Sequence, residues 1–154
     1  MVVNMVDAIF VMATFATLFC AAVNFYTYQV GYPLWRSVGA AELPSLHREY
    51  LRRLWPVITL PHVVMFFSSA ALVWRRPAFV PLWAAVLVFG LDAGVVLVSA
   101  FAAGPMHARI TKLGVLDDRG YRGLMSISAM RVVMMALASG LMFALTLRAI
   151  LMAS

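Results

Sequence analysis

The chain has 154 residues, 64% hydrophobic and only 12% charged, with a formal net charge of +6. That composition leaves almost nothing for a soluble domain, and the single cysteine, Cys20, excludes a disulfide framework. The basic balance does not point to nucleic acid, because the arginines sit in short connections beside apolar runs, where they set topology and meet anionic lipid head groups.

Four long apolar runs follow one another. Ala8 to Trp35 carries no charge, and Leu54 to Trp74 has only His62 as an ionisable group. Pro77 to Met106 has only Asp92, and Gly123 to Leu147 is interrupted only by Arg131. A helix needs roughly 20 apolar residues to cross a hydrocarbon core of about 30 Å, and each run is long enough. The expected fold is therefore all-α. It is a polytopic membrane protein forming one four-transmembrane-helix bundle over residues 1–154, with helices at 6–30, 54–74, 79–104 and 123–151. The first run is too long for a signal core, has no lysine or arginine before it, and reads as a retained span.

Between the first two spans, Pro44-Ser45 starts a segment in which Leu46, Tyr50, Leu51 and Leu54 share one helical face while His47, Arg48, Arg52 and Arg53 point elsewhere. This predicts an amphipathic helix on the membrane surface, with His47 a surface residue; the alternative is a helical extension of the second span. Arg75-Arg76-Pro77 marks a short turn to the third span, and an aspartate of Asp117-Asp118 caps the fourth. Eight of the lysines and arginines lie in the first and third connections, against Arg75, Arg76 and Arg148 on the opposite side. That bias places those connections in the cytoplasm and both ends outside, in a bacterial inner (cytoplasmic) membrane.

Polar residues inside the spans are the candidates for function, because they are expensive there. His62 and Arg131 each lie about 12 Å below the same surface. Asn24 and His107 lie at similar depth, and together the four predict one polar pocket opening toward the cytoplasm, with Tyr28 and Ser128 at its rim. Asp92 sits deeper, near the midplane, with Arg131 as its natural charge partner. Pro61 frees the carbonyl of Val57 beside His62. No His-x-x-x-His or carboxylate-x-x-His spacing supports a metal site, and no cofactor is assigned; a haem or chlorophyll-type pigment would draw on His62. Trp35, Trp55, Trp74, Trp83, Tyr26, Tyr28 and Tyr32 read as interfacial anchors. Ala136, Gly140 and Ala144, like Gly90 and Gly94, are small-residue patterns that allow close helix approach.

Over its whole length the chain resembles the small four-helix membrane proteins grouped with the anthrone oxygenases. The likeness rests on Gly31-Tyr32-Pro33-Leu34 closing the first helix, a second helix with its own proline, Pro105-Met106-His107 closing the third, and Arg131 early in the fourth. It implies the four-helix fold, importance for His107 and Arg131, and a membrane oxidoreductase acting on a small lipid-soluble or aromatic substrate. The first reading of the residues themselves is a non-catalytic subunit or interaction partner of a larger membrane complex, joined to other membrane subunits or to itself, with the oxidoreductase as the alternative. Half of a dimeric transporter or channel is a third reading.

Overall fold

The computed structural model describes residues 4–39 and 41–153. Among them there is no strand, and four helices are long and apolar enough to cross a membrane. These are α1 (Met5–Trp35), α2 (Leu43–Trp74), α3 (Leu82–Leu113) and α4 (Asp118–Met152), of 31, 32, 32 and 35 residues. At 1.5 Å per residue each is close to 50 Å long, well beyond a hydrocarbon core of about 30 Å. Three of the expected spans lie inside longer helices, the third starts at Leu82 rather than 79, and the excess is mostly at the end that carries the first and third connections.

The helices run up and down in ring order: α1 packs on α2 and α4, and α3 packs on the same two. Their facing sides form three apolar layers. Phe10, Leu72, Val88 and Met142 fill one end, and Cys20, Met65, Val95 and Met135 the middle. Tyr32, Trp35, Leu43, Ile110 and Leu124 close the end near the first and third connections. Tyr32 and Trp35 are thus interior rather than interfacial anchors: α1 continues past residue 30 and carries both rings into the bundle. Trp55, Trp74, Trp83 and Tyr26 do point outward.

Three helices are interrupted by one π-helical turn each: Thr27–Gly31 in α1, Trp55–Thr59 in α2 and Ser99–Ala103 in α3. Each is followed two residues later by proline, at Pro33, Pro61 and Pro105. A proline lacks the amide hydrogen and its ring clashes with the carbonyl four residues back. Those carbonyls belong to Gln29, Val57 and Phe101, the third residue of each π-turn. The helix widens there instead of ending, so α3 runs through Pro105 to Leu113 rather than stopping at 104.

The amphipathic segment is helical at Leu43–Leu54 but joins α2 end to end through Trp55–Thr59. Its inward face is turned from the expected one. Leu43 and His47 are buried, whereas Leu46 is exposed, because the segment packs on the Gly104–Leu113 end of α3. Asp117 caps α4 as expected, its Oδ1 accepting from the Gly120 amide at 2.7 Å. Gly114 ends α3 with φ 66°, and a Cβ there would meet Pro44 Cγ at 2.9 Å. The αL conformation alone costs a residue with a Cβ about 1–2 kcal/mol. Gly114→Ala should therefore lower stability by at least about that much, read as an earlier unfolding transition in detergent; an unchanged transition would show that the turn is not held as described.

Candidate functional site

Helix α1 turns a polar stripe inward, because Thr17, Cys20, Asn24 and Thr27 recur at three- and four-residue spacing and are all buried. Asn24 is the junction. Its side-chain nitrogen donates to the Cys20 carbonyl at 2.7 Å and to His62 Nε2 at 3.2 Å, and its oxygen accepts from Arg131 Nη2. His62 Nδ1 lies 2.7 Å from the carbonyl of Ile58, inside the π-turn of α2. A carbonyl only accepts, so the proton is on Nδ1 and Nε2 receives the Asn24 amide. The π-turn thus explains why His62 is where it is: the ring satisfies a carbonyl that the Pro61 distortion leaves beside it. Both ring nitrogens are committed, which leaves His62 without a free lone pair for a haem or pigment.

Arg131 is 4% exposed and enters this site from α4. Its Nε finds no hydrogen-bond partner, and among the described residues no ion pair includes it. The expected charge partner is elsewhere. Asp92 is fully buried with Oδ2 accepting from the Thr17 hydroxyl at 3.2 Å, while Oδ1 is unpartnered. The structure therefore separates Asp92 from the pocket predicted for it: the carboxyl sits between the end and middle apolar layers, whereas Arg131 lies on the far side of the middle layer. Among the described residues neither group has an ion-pair partner.

His107 is half-buried and belongs to a second polar set. Its Nε2 lies 3.3 Å from the Tyr32 hydroxyl and its Nδ1 lies 3.0 Å from His47 Nε2. His47 Nδ1 is 2.9 Å from Thr111 Oγ1. His47 is therefore not a surface residue. It is 0% exposed, stacked on His107 and edge-on to Trp35 at 5.0 Å between ring centroids. Helical periodicity alone misplaced it, since only the pairing with α3 turns that face inward. Of the two rim residues, Ser128 is buried with its hydroxyl unpartnered and Tyr28 is half-buried.

Two adjoining chambers reach this machinery between α2 and α3. One, of about 450 Å³, is lined by His62, Val63, Phe66, Phe67 and Val96; the other, of about 370 Å³, by Tyr32, Leu51, Leu54, His107 and Arg131. Ile58, Thr59 and Ser99 line both, so the two π-turns form the shared wall. Phe67 and Val63 are exposed on the outer face of α2, and on a membrane protein that face meets lipid. The arrangement is a laterally open apolar groove with one guanidinium, one phenol and one imidazole at its inner end. Among the described residues no group of three or more His, Cys, Asp or Glu is placed to hold a metal ion.

Compared with protein-family models, curated proteins and solved structures, the chain shows no significant match to any of them. The site must be read from its own chemistry. Asn24→Leu strips Arg131 of its acceptor and His62 of its donor. It should cost about 1.5–3 kcal/mol, read by thermal unfolding in detergent. Asp92→Asn keeps the shape and a hydrogen bond to Thr17 and should cost less than about 1 kcal/mol; the reverse ranking would mean that Asp92, not Asn24, anchors the interior.

Proposed function

We propose that this protein binds, from within the bilayer, a small lipid-soluble molecule bearing an acidic oxygen, such as a phenol or an enolisable aromatic ketone, and stabilises it as the anion. The observation that carries this reading is Arg131, a buried guanidinium without a carboxylate partner, at the inner end of a groove that opens to lipid. An uncompensated cation in such a place strengthens any anion brought to it, because little water competes. The apolar chamber takes the ligand's hydrocarbon body, as ligand sites of this size commonly do.

This is the first half of the chemistry expected of an anthrone-oxygenase-like oxidoreductase. An electron-rich enolate or phenolate is the form of such a substrate that dioxygen oxidises, and preparing it requires a base and a fixed positive charge. The proposed setting is a bacterial inner membrane with the arginine-rich end in the cytoplasm. There Leu43–Leu54 lies at head-group level and exposes Arg48, Arg52 and Arg53 to lipid phosphates. The accessory-subunit reading keeps one observation: Ala136, Gly140 and Ala144 form an outward strip on α4, and a Cβ at Gly140 would meet nothing within 4 Å. That strip permits a helix partner but does not use the buried site.

The test is binding of an alkylated 4-nitrophenol and of its O-methyl ether to the protein in nanodiscs. The phenol should bind roughly 10- to 100-fold more tightly than the ether, the worth of a hydrogen bond to a charged group. In Arg131→Leu, checked for folding, the preference should vanish. Equal binding of phenol and ether by the wild type would sink the reading.

A further inference from the structure

The histidine pair runs from the groove, which His107 lines, to the buried His47 behind it, and its hydrogen bonds have a direction. The Thr111 hydroxyl is 3.0 Å from the carbonyl of His107, to which it donates. Having one hydrogen, it must accept from His47, so His47 carries its proton on Nδ1. His47 Nε2 is then an acceptor, which places a proton on His107 Nδ1. His107 Nε2 is in turn an acceptor, and Tyr32 donates to it. Every donor points the same way, from the groove inward: Tyr32 to His107, His107 to His47, His47 to Thr111. Tyr32 and His107 line the chamber that Arg131 lines, whereas His47 and Thr111 do not.

We propose that His47 is the terminal proton acceptor of this site, reached through Tyr32 and His107. The proposal rests on the ligand class given above, an acidic lipid-soluble oxygen acid. The ligand's O–H gives its proton to the Tyr32 oxygen as Tyr32 passes its own to His107 Nε2. His107 passes its Nδ1 proton to His47 Nε2. The ligand is left as the anion beside Arg131, and Tyr32 is again neutral, now donating to that anion. His107 is neutral with its proton moved to Nε2, and His47 is an imidazolium. No electrons leave the system, and one proton has moved from ligand to His47.

The hydrogen-bond partners of that end state are already in place. Imidazolium His47 would donate from Nδ1 to Thr111 and from Nε2 to His107, so both new donors already face acceptors. The Trp35 ring packs nearly perpendicular to the His47 ring at 5.0 Å between centroids. Separating the proton from the anion by two residues keeps the imidazolium off the guanidinium and slows return of the proton to the ligand.

The experiment uses the full chain in nanodiscs with ¹⁵N-labelled histidine, and the alkylated 4-nitrophenol as probe. Without probe, His47 and His107 should both be neutral Nδ1–H tautomers; a resting Nε2–H tautomer at His107 overturns the proposal before any ligand is added. At neutral pH, saturating probe should give the visible phenolate band, convert His47 to imidazolium and move the His107 proton to Nε2. His47→Gln should reduce the bound-phenolate fraction by about tenfold or more while binding of the methyl ether is unchanged. Thr111→Val and Tyr32→Phe, which keep the side-chain shapes, should lower the phenolate fraction in the same sense and serve if His47→Gln does not fold. Undiminished phenolate in these variants overturns the relay alone, with the binding reading intact. A wild type that shows no preference for phenol over ether removes both.

Discussion

A guanidinium held by a neutral amide is the constraint from which the interior of this protein follows. Placing an arginine well inside a membrane helix costs about 2.5–3.5 kcal/mol even on the mildest scales, and an arginine near a helix end commonly escapes by stretching to the interface. Arg131 does not escape; it turns inward and donates to Asn24. The Asn24 amide is then fixed in orientation, since its oxygen must face the arginine and its nitrogen must face Cys20 and His62. That orientation in turn fixes the His62 tautomer. One cation therefore sets the polarity of three helices, and its own charge is left without an internal anion.

The prolines supply the space. Three helices widen into π-turns at the residues that Pro33, Pro61 and Pro105 would otherwise crowd, and the two turns in α2 and α3 form the shared wall of the groove. π-Turns inside α-helices are rare and recur at functional sites, where they free or redirect backbone groups. Here the carbonyl of Ile58 accepts from His62 Nδ1, and the hydroxyls of Thr27 and Ser99, which open the other two turns, bond back to the carbonyls of Val23 and Val95. The same distortion thus opens an apolar entry from lipid and orients the polar groups at its end. The apolar layers above and below keep the polar layer narrow.

Hydropathy made the four spans legible, because runs such as Ala8 to Trp35 satisfy a length requirement that packing cannot disguise. The cost of burying polar groups singled out Asn24, His62, Asp92, His107 and Arg131. The structure joins Asn24, His62 and Arg131 directly, reaches His107 through the groove, and leaves Asp92 apart with Thr17. What the sequence could not show is partner geometry. Helix periodicity put His47 among arginines on an outer face, whereas contact with α3 turns it inward; Trp35 and Tyr32 read as anchors until α1 proved long enough to carry them into the core. The repeated proline was the available signal for the π-turns, but one proline allows a kink, a stop or a bulge, and only the backbone decides between them.

The proposed function requires that Arg131 keep an unspent positive charge for a ligand, which it does only while its partner, Asn24, is neutral. Asn24→Asp puts a carboxylate where the amide oxygen stands, with nearly the same shape, and also takes away the N–H donors that Cys20 and His62 receive. The decisive measurement is the affinity of a lipid-soluble phenolate for Asn24→Asp and for wild-type protein, both in nanodiscs and both shown to be folded. The wild type should bind the anion, and Asn24→Asp, with the guanidinium neutralised from within, should lose most of that affinity. Equal affinity in the two proteins would contradict it.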